Sequence, residues 1–363
     1  MPNRIKPQRI VFSLVFGLFM ATASTAQLWG PNDLEAAIAA APDGGVIDLP
    51  AGTFDFTNDW NPPNPLGKSL TFRGTGHTVL QGHAAERFLR SRADIAIEGI
   101  ELQDFAVGVY LTPDSGQTIR ASFERVRFVG IDTGIWALGH ANANTGLESF
   151  VVRDCEFENG LWGIDVRLPT YRNVHIESNT FTDFQDRGVN LGSTLYDPDE
   201  NRSQIFVHNN TVRRVGAGSI IQPIGIIVHG NHCFLTSNYV EQVNADAGGE
   251  AAGLYTKCMY SKVLGNTVVD SSASFLAAFN GAITIKGKER NETNGPFGFG
   301  AMVANNHVIF NDKSRPTRIS VKIHADWVHV HGNISEHASQ ATFISLPSIG
   351  NHVTVDDEVL WNP

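Results

Sequence analysis

The chain predicts an all-β fold, a single-stranded right-handed parallel β-helix (solenoid) with an N-terminal capping helix, on three observations. A five-residue phrase, a small residue followed by alternating apolar and outward positions, recurs at 163–167, 188–192, 225–229, 253–257 and 282–286, and at 318–322 with Arg318 in the small residue's place. A second pattern runs through Ile100, Val126, Cys155, Asn179, Asn210, Asn238, Asn266, Asn306 and Asn333. Each of these has an apolar residue three positions before it and another two positions after, except that Ser335 follows Asn333. Third, the spacing varies from 24 residues (Cys155 to Asn179) to 40 (Asn266 to Asn306) around an unchanged pattern. That is how coils with insertions at their turns read, and such units bury their apolar faces only by stacking. Leucine-rich and propeller signatures are absent.

The elements follow in order. Residues 1–26 read as an export signal: Arg4, Lys6 and Arg9 precede an apolar stretch from Ile10 to Met20, and Ser24-Thr25-Ala26 offers a cleavage site before Gln27. The apolar stretch is short for a bilayer span. No cysteine follows the cleavage point, so no lipid anchor is expected and the chain is expected to be secreted or periplasmic. Repeats then run through 27–363 without a linker, which predicts one domain. Asn32-Asp33 before Leu34, Ala37, Ile38 and Ala41 reads as a capped amphipathic helix that plugs the open end of the stack. Gly44-Gly45 turns into the first strand at 46–49, and 62–65 is a proline-rich loop. Two long excursions, 272–280 and 287–300, flank Lys286, and long loops in compact folds are often functional.

The asparagines from Asn179 to Asn333 are expected to hydrogen-bond to one another up the stack and satisfy buried turn backbone. Cys155 occupies a position in that column. Cys233 and Cys258 have offsets that differ from the rung spacing, which argues against a disulfide between them.

The balance of 27 Lys and Arg against 37 Asp and Glu gives a net charge of −10. Removal of 1–26 takes away three cations and deepens the acidity. Such a surface repels nucleic acid and anionic membranes, so neither is an expected partner. Within it the fifth residues of the phrases, Arg167, Gly192, His229, Lys257, Lys286 and Lys322, form an outward column that turns basic. Stacked rungs lie about 4.8 Å apart, so the column suits a polyanion, and an acidic polysaccharide is the expected partner.

Lys257 and Lys286 occupy the same outward position on successive repeats. Two like charges one rung apart disfavour each other, which frees one lysine to act as a general base while the other neutralises a carboxylate. That pairing suits removal of the C5 proton of a uronic acid. His229, Arg167, Lys322 and Tyr255 are placed to contact flanking sugars. Tyr110 and Trp136 are outward aromatics placed to stack on sugar rings.

The whole pattern resembles the pectate-lyase-like superfamily of right-handed parallel β-helices. Glu250-Ala251, Lys257 and Gly265-Asn266-Thr267 further resemble polysaccharide lyase family 6, which includes chondroitinase B and alginate lyases. The resemblance implies that Lys257 is the base and that Glu250, seven residues earlier, helps to hold a calcium ion (Ca2+) or orients the lysine. This sequence departs from the family at three places. Ala252 stands for the second calcium glutamate, Lys286-Gly287 for an arginine-histidine pair after the 272–280 insertion, and Gln222 for an asparagine ligand. The resulting expectation is an exported polysaccharide lyase cleaving a uronate-containing polymer by β-elimination.

Other readings stay open. Asp197-Pro198-Asp199-Glu200 resembles the Asp-Pro-His-Asp/Glu motif of mannuronan C5-epimerases, with Asp199 replacing the histidine, and also reads as a proline-set turn. Asp183, Asp186, Asp197, Asp199 and Asp246 lie between strands, where hydrolase carboxylates would sit. His329 and His331, alternating on one strand, are a candidate metal pair with His324 or Asp326. A non-catalytic glycan-binding or structural solenoid is the rival from another class.

Overall fold

The computed structural model describes residues 30–57, 60, 65–84, 86–139, 145–192, 202–216, 223–244, 251–271, 281–286, 300–311, 318–325, 327–344 and 353–360. The export signal, Glu250, Gln222, the 197–200 tetrapeptide, Asp246, Asp326 and the two excursions beside Lys286 (apart from Gly300) lie outside the described residues. The strands pair in parallel into a three-faced β-helix of about nine turns, with the core inside.

The corners explain the second repeat. The residue before each key position, including Gly99, Asp154, Ser178, Asn209, Gly265 and Asn305, has φ between 53° and 62°. Side chains resist that left-handed region unless they are glycine or a short polar residue. The asparagine that follows ties the corner down. Asn238 Nδ2 donates to Val207 O and to Asn266 Oδ1, both at 2.9 Å, and Asn266 Oδ1 also accepts the Asn238 N–H at 2.9 Å. The arrangement repeats from Asn179 to Asn333. At its upper end Asn179 Oδ1 accepts the Cys155 N–H at 2.9 Å, and Cys155 Sγ accepts from Val126 N–H at 3.4 Å. The thiol continues the column, and burial pushes its pKa up to about 12.

Packing explains why the first repeat opens on a small residue. Phe128, Phe157 and Phe181 stack inside the coil at centroid distances of 4.6 Å. A Cβ on Gly134 would meet the Phe157 ring at 2.8 Å, and one on Gly163 would meet Phe181 at 2.6 Å and Gly188 O at 2.5 Å. The glycines let each rung approach the next.

Helix α1 (Pro31–Ala40) inserts Leu34 and Ile38 into the core at the N-terminal end, as expected. Its cap is Gly30 rather than Asn32. Gly30 donates its N–H to Asp33 Oδ2 at 2.9 Å, while Lys68 Nζ donates to the terminal carbonyls of Ala39 and Ala41. The expectation against a disulfide is overturned: Cys233 and Cys258 are bonded, with Cα atoms 6.3 Å apart. The chain turns a corner at Gly230, which pairs with Cys258, so Cys233 three residues on reaches back diagonally to the neighbouring coil. Linear offsets do not register a corner.

Candidate functional site

One face collects Arg87–Ser91, Val107–Leu111, Thr133–Leu138, the second halves of Glu156–Arg167 and Thr180–Leu191, and the first half of Ile224–Thr236. It continues through Ala252–Met259, Ile283–Lys286, Ile319–His324 and Gln340–Ile344. Alternation sends Ile164, Val166, Ile226, Val228, Ile283 and Ile285 into the core. The residues between them form two outward tracks. One reads Tyr110, Trp136, Asp165, Asn190, Ile227, Tyr255, Thr284 and Lys322. The other, two residues further along each strand and so roughly 7 Å away, runs from Arg167 through Gly192, His229, Lys257 and Lys286 to His324.

Most of the predicted column is brought together. His229 pairs with Lys257, the same register sets Lys286 beside Lys257, and Arg167 lies three rungs before Lys257. Lys322 is the exception. It pairs with Thr284, and His324 is the residue opposite Lys286. The sequence alignment slipped by two residues there, because Ile319, Val321 and Ile323 alternate equally well in either register. Lys322 therefore belongs to the other track, where it is only 3% exposed. Tyr255 shares the Lys257 strand on that track too, packed with Ile224, Ile227 and Ala252 and with its ring 6.0 Å from that of His229.

Although these side chains point outward, the face is not an open surface. His229 and Tyr255 are buried, and Lys257 and Lys286 are half-buried. Tyr110 and Trp136 do not present free ring faces to a sugar, as the sequence suggested. They stack on each other at 4.6 Å, and Arg87 and Arg90 cover Tyr110.

Sequence reasoning missed a polar cluster on the same face. Arg167 Nε lies 3.0 Å from the Asp165 carboxylate, and its guanidinium rests 4.8 Å from the centre of the Trp162 ring. Asn190 Nδ2 donates to Asp165 Oδ1. Trp162 Nε1 donates to Asp186 Oδ2 at 2.6 Å, with Arg187 Nε 3.7 Å from the same oxygen. Burial raises the Asp165 pKa, against the opposing pull of Arg167 and Asn190. Five buried atoms here make no hydrogen bond, Trp136 Nε1, Asp165 Oδ2, Asn190 Oδ1, Asp186 Oδ1 and Arg187 Nε, and of these Asp165 Oδ2 is met by the ion pair to Arg167 Nε at 3.0 Å. Each such atom costs on the order of 1–3 kcal/mol if left unmet. The signal was present in the sequence, since Asp165 and Asn190 are the third residues of their phrases and must point outward.

The metal expectations find little support in the residues. His329 and His331 face the same way with rings 4.9 Å apart, but His324 stands on another face, opposite Lys286. Among the described residues no group of three His, Cys, Asp or Glu converges. For calcium, which needs several oxygen ligands, the position of the second glutamate is Ala252, fully buried in the apolar patch around Tyr255. The described residues do not fit that ion.

No family model matches the sequence, and no curated protein matches it significantly. Among solved structures, the A-module of the mannuronan C-5 epimerase AlgE6 from Azotobacter vinelandii superposes with a TM-score of 0.61 at 15% identity. The match covers 92% of this chain and 96% of that one. The AlgE4 A-module from the same organism gives 0.57 at 15% identity over 90% and 95%. An alginate lyase from Paenibacillus sp. str. FPU-7 gives 0.45 at 16% identity over 91% and 97%. At these identities the shared property is the parallel β-helix fold.

Proposed function

We propose that this chain is an exported enzyme that acts on an acidic polysaccharide by abstracting the C5 proton of a uronate, and that β-elimination follows. The observation that carries the reading is the run of His229, Lys257, Lys286 and His324 on consecutive rungs of one half-buried track. In its neutral form Lys257 takes the proton from C5. The electron pair left behind delocalises into the carboxylate, where the Lys286 ammonium stabilises the developing charge. The C4–O4 bond then breaks, O4 leaves and is protonated, and a C4–C5 double bond remains. His229 and His324 bracket the pair and contact neighbouring residues of the polymer, as does Arg167 further up. Glu250 is proposed to orient Lys257. The disulfide between Cys233 and Cys258 supports an oxidising compartment, either periplasmic or extracellular.

Epimerisation is the second reading, favoured by the two epimerase A-modules among the structural neighbours. It shares the first step and differs only in returning the proton to the opposite face of C5. A single experiment separates them. The protein is incubated in deuterated water with alginate, polygalacturonate and chondroitin and dermatan sulfates, with and without added calcium. Ultraviolet absorbance reports the unsaturated uronate, and NMR reports deuterium at C5. Elimination gives absorbance that falls about 100-fold or more in Lys257→Ala, the scale of a lost general base. Deuterium without absorbance establishes the epimerase. Neither signal on any polymer, or a rate untouched in Lys257→Ala, overturns the catalytic assignment.

A further inference from the structure

The unmet polar atoms on this face are ordered. Trp136, Asp165 and Asn190 occupy three consecutive rungs of one track; Trp136 Nε1 and Asn190 Oδ1 are a buried donor and a buried acceptor without a hydrogen bond, and between them Asp165 Oδ2 is held only by the ion pair to Arg167 Nε at 3.0 Å. Asn190 is 1% exposed and Asp165 fully enclosed. Neighbouring arginines balance the carboxylates, with Arg167 on Asp165 and Arg187 near Asp186. The set is therefore a poor cation trap. It is a good match for hydroxyl groups, which both donate and accept. The second track at these rungs carries Arg167 and then Gly192, where an added Cβ would meet the His229 ring at 2.5 Å, so the imidazole packs over that rung.

A uronate ring carries its carboxylate at C5 and its 2- and 3-hydroxyls on the opposite edge. Two tracks roughly 7 Å apart suit those two edges, one cationic and one polar and uncharged in balance. Resting on the reading of this face as a uronan groove, we infer that Trp136, Asp165 and Asn190 form a subsite that recognises the free 2- and 3-hydroxyls of the polymer. It lies about 10–20 Å up the groove from Lys257, at about 4.8 Å per rung. Arg167 is its gate. Its guanidinium exchanges the Asp165 carboxylate for a carboxylate of the polymer, and the released Asp165 oxygens accept sugar hydroxyls. The substrate class is accordingly a uronan unsubstituted at O2 and O3, and polymers acetylated or sulfated there are rejected.

The test is direct binding, with Lys257→Ala in every protein so that no turnover intervenes. Calorimetry compares an oligomannuronate of six residues with the same oligomer acetylated at O2 and O3. The expected preference for the unmodified oligomer is about tenfold or more, the scale on which a polar site rejects a ligand lacking its partner. Trp136→Phe keeps the ring stacked on Tyr110 and removes only the N–H, and Asn190→Leu removes the acceptor. Each is expected to shrink the preference at least threefold while the acetylated oligomer binds as before. Equal affinity for the two oligomers, or a preference unchanged in Trp136→Phe, overturns the subsite and leaves the groove reading intact. Binding of neither oligomer removes the groove reading, and the subsite with it. Should Asn190→Leu fail to fold, the ligand comparison and Trp136→Phe decide alone.

Discussion

At the scale of single residues, the buried Asp165 is the group whose charge the fold least favours. Burial raises its pKa above the ordinary aspartate value, with Arg167 and Asn190 only partly offsetting it. A folded-state pKa raised above the unfolded one means that the folded chain holds this proton more tightly. The resulting stability is fully present below about pH 3.8 and is lost as pH rises through the folded value. Asp165→Asn removes that titration. Urea denaturation across a pH series is expected to show the variant gaining on the wild type as pH rises from about 3 toward neutrality. A stability difference that stays flat across the series would show that Asp165 titrates as it does unfolded. The same residue was legible in the sequence as an outward position. Its enclosure was not, because burial of an outward side chain depends on what the chain places over it.

At the scale of elements, the phrase and the asparagine column were legible because each position has one physical job. The first residue of the phrase must be small, since core side chains such as Phe181, Val240 and Val268 and the carbonyl of the next rung close on it. Gly163→Ala is expected to cost about 1–3 kcal/mol by overpacking, because its Cβ would meet both the Phe181 ring and the Gly188 carbonyl. Gly67→Ala, with nothing within 4 Å of an added Cβ, is the control and should be near neutral in the same thermal denaturation. Equal losses at the two sites would mean that backbone freedom, and not close approach, explains the glycine. The strand Ile319–His324 shows where legibility ended. A slip of one residue would have turned its apolar side chains outward and been noticed, whereas a slip of two preserves the alternation. The small first residue does separate the two registers, since Arg318 heads the phrase in the slipped one, whereas Ser320 heads it in the observed pairing with Ile283–Lys286 that sets His324 beside Lys286. The Cys233–Cys258 bond was misjudged for a related reason, since the Gly230 corner changes which residues are diagonal neighbours.

At the scale of the whole molecule, a chain of net charge −10 carries a local cationic track from Arg167 to His324, and the two act over different ranges. The net charge repels a polyanion at long distance, while the track attracts it only on contact. At about 0.01 M salt the screening length is about 30 Å, so an approaching polymer feels the whole acidic surface. At about 0.1 M the length falls to about 10 Å, which removes most of that repulsion and leaves contacts between half-buried lysines and carboxylates largely intact. Near 1 M it is about 3 Å, and the contacts weaken as well. Affinity for an acidic polysaccharide is therefore expected to pass through a maximum at intermediate salt rather than fall steadily. Titrating a long uronan into the protein at these three ionic strengths checks this. Lys257→Ala and Lys286→Ala together are expected to lower affinity most at low and intermediate salt and least near 1 M, where the contacts they remove are already screened. A monotonic fall with salt would mean that the track dominates the field even at long range. A monotonic rise would place the polymer on a surface other than this one.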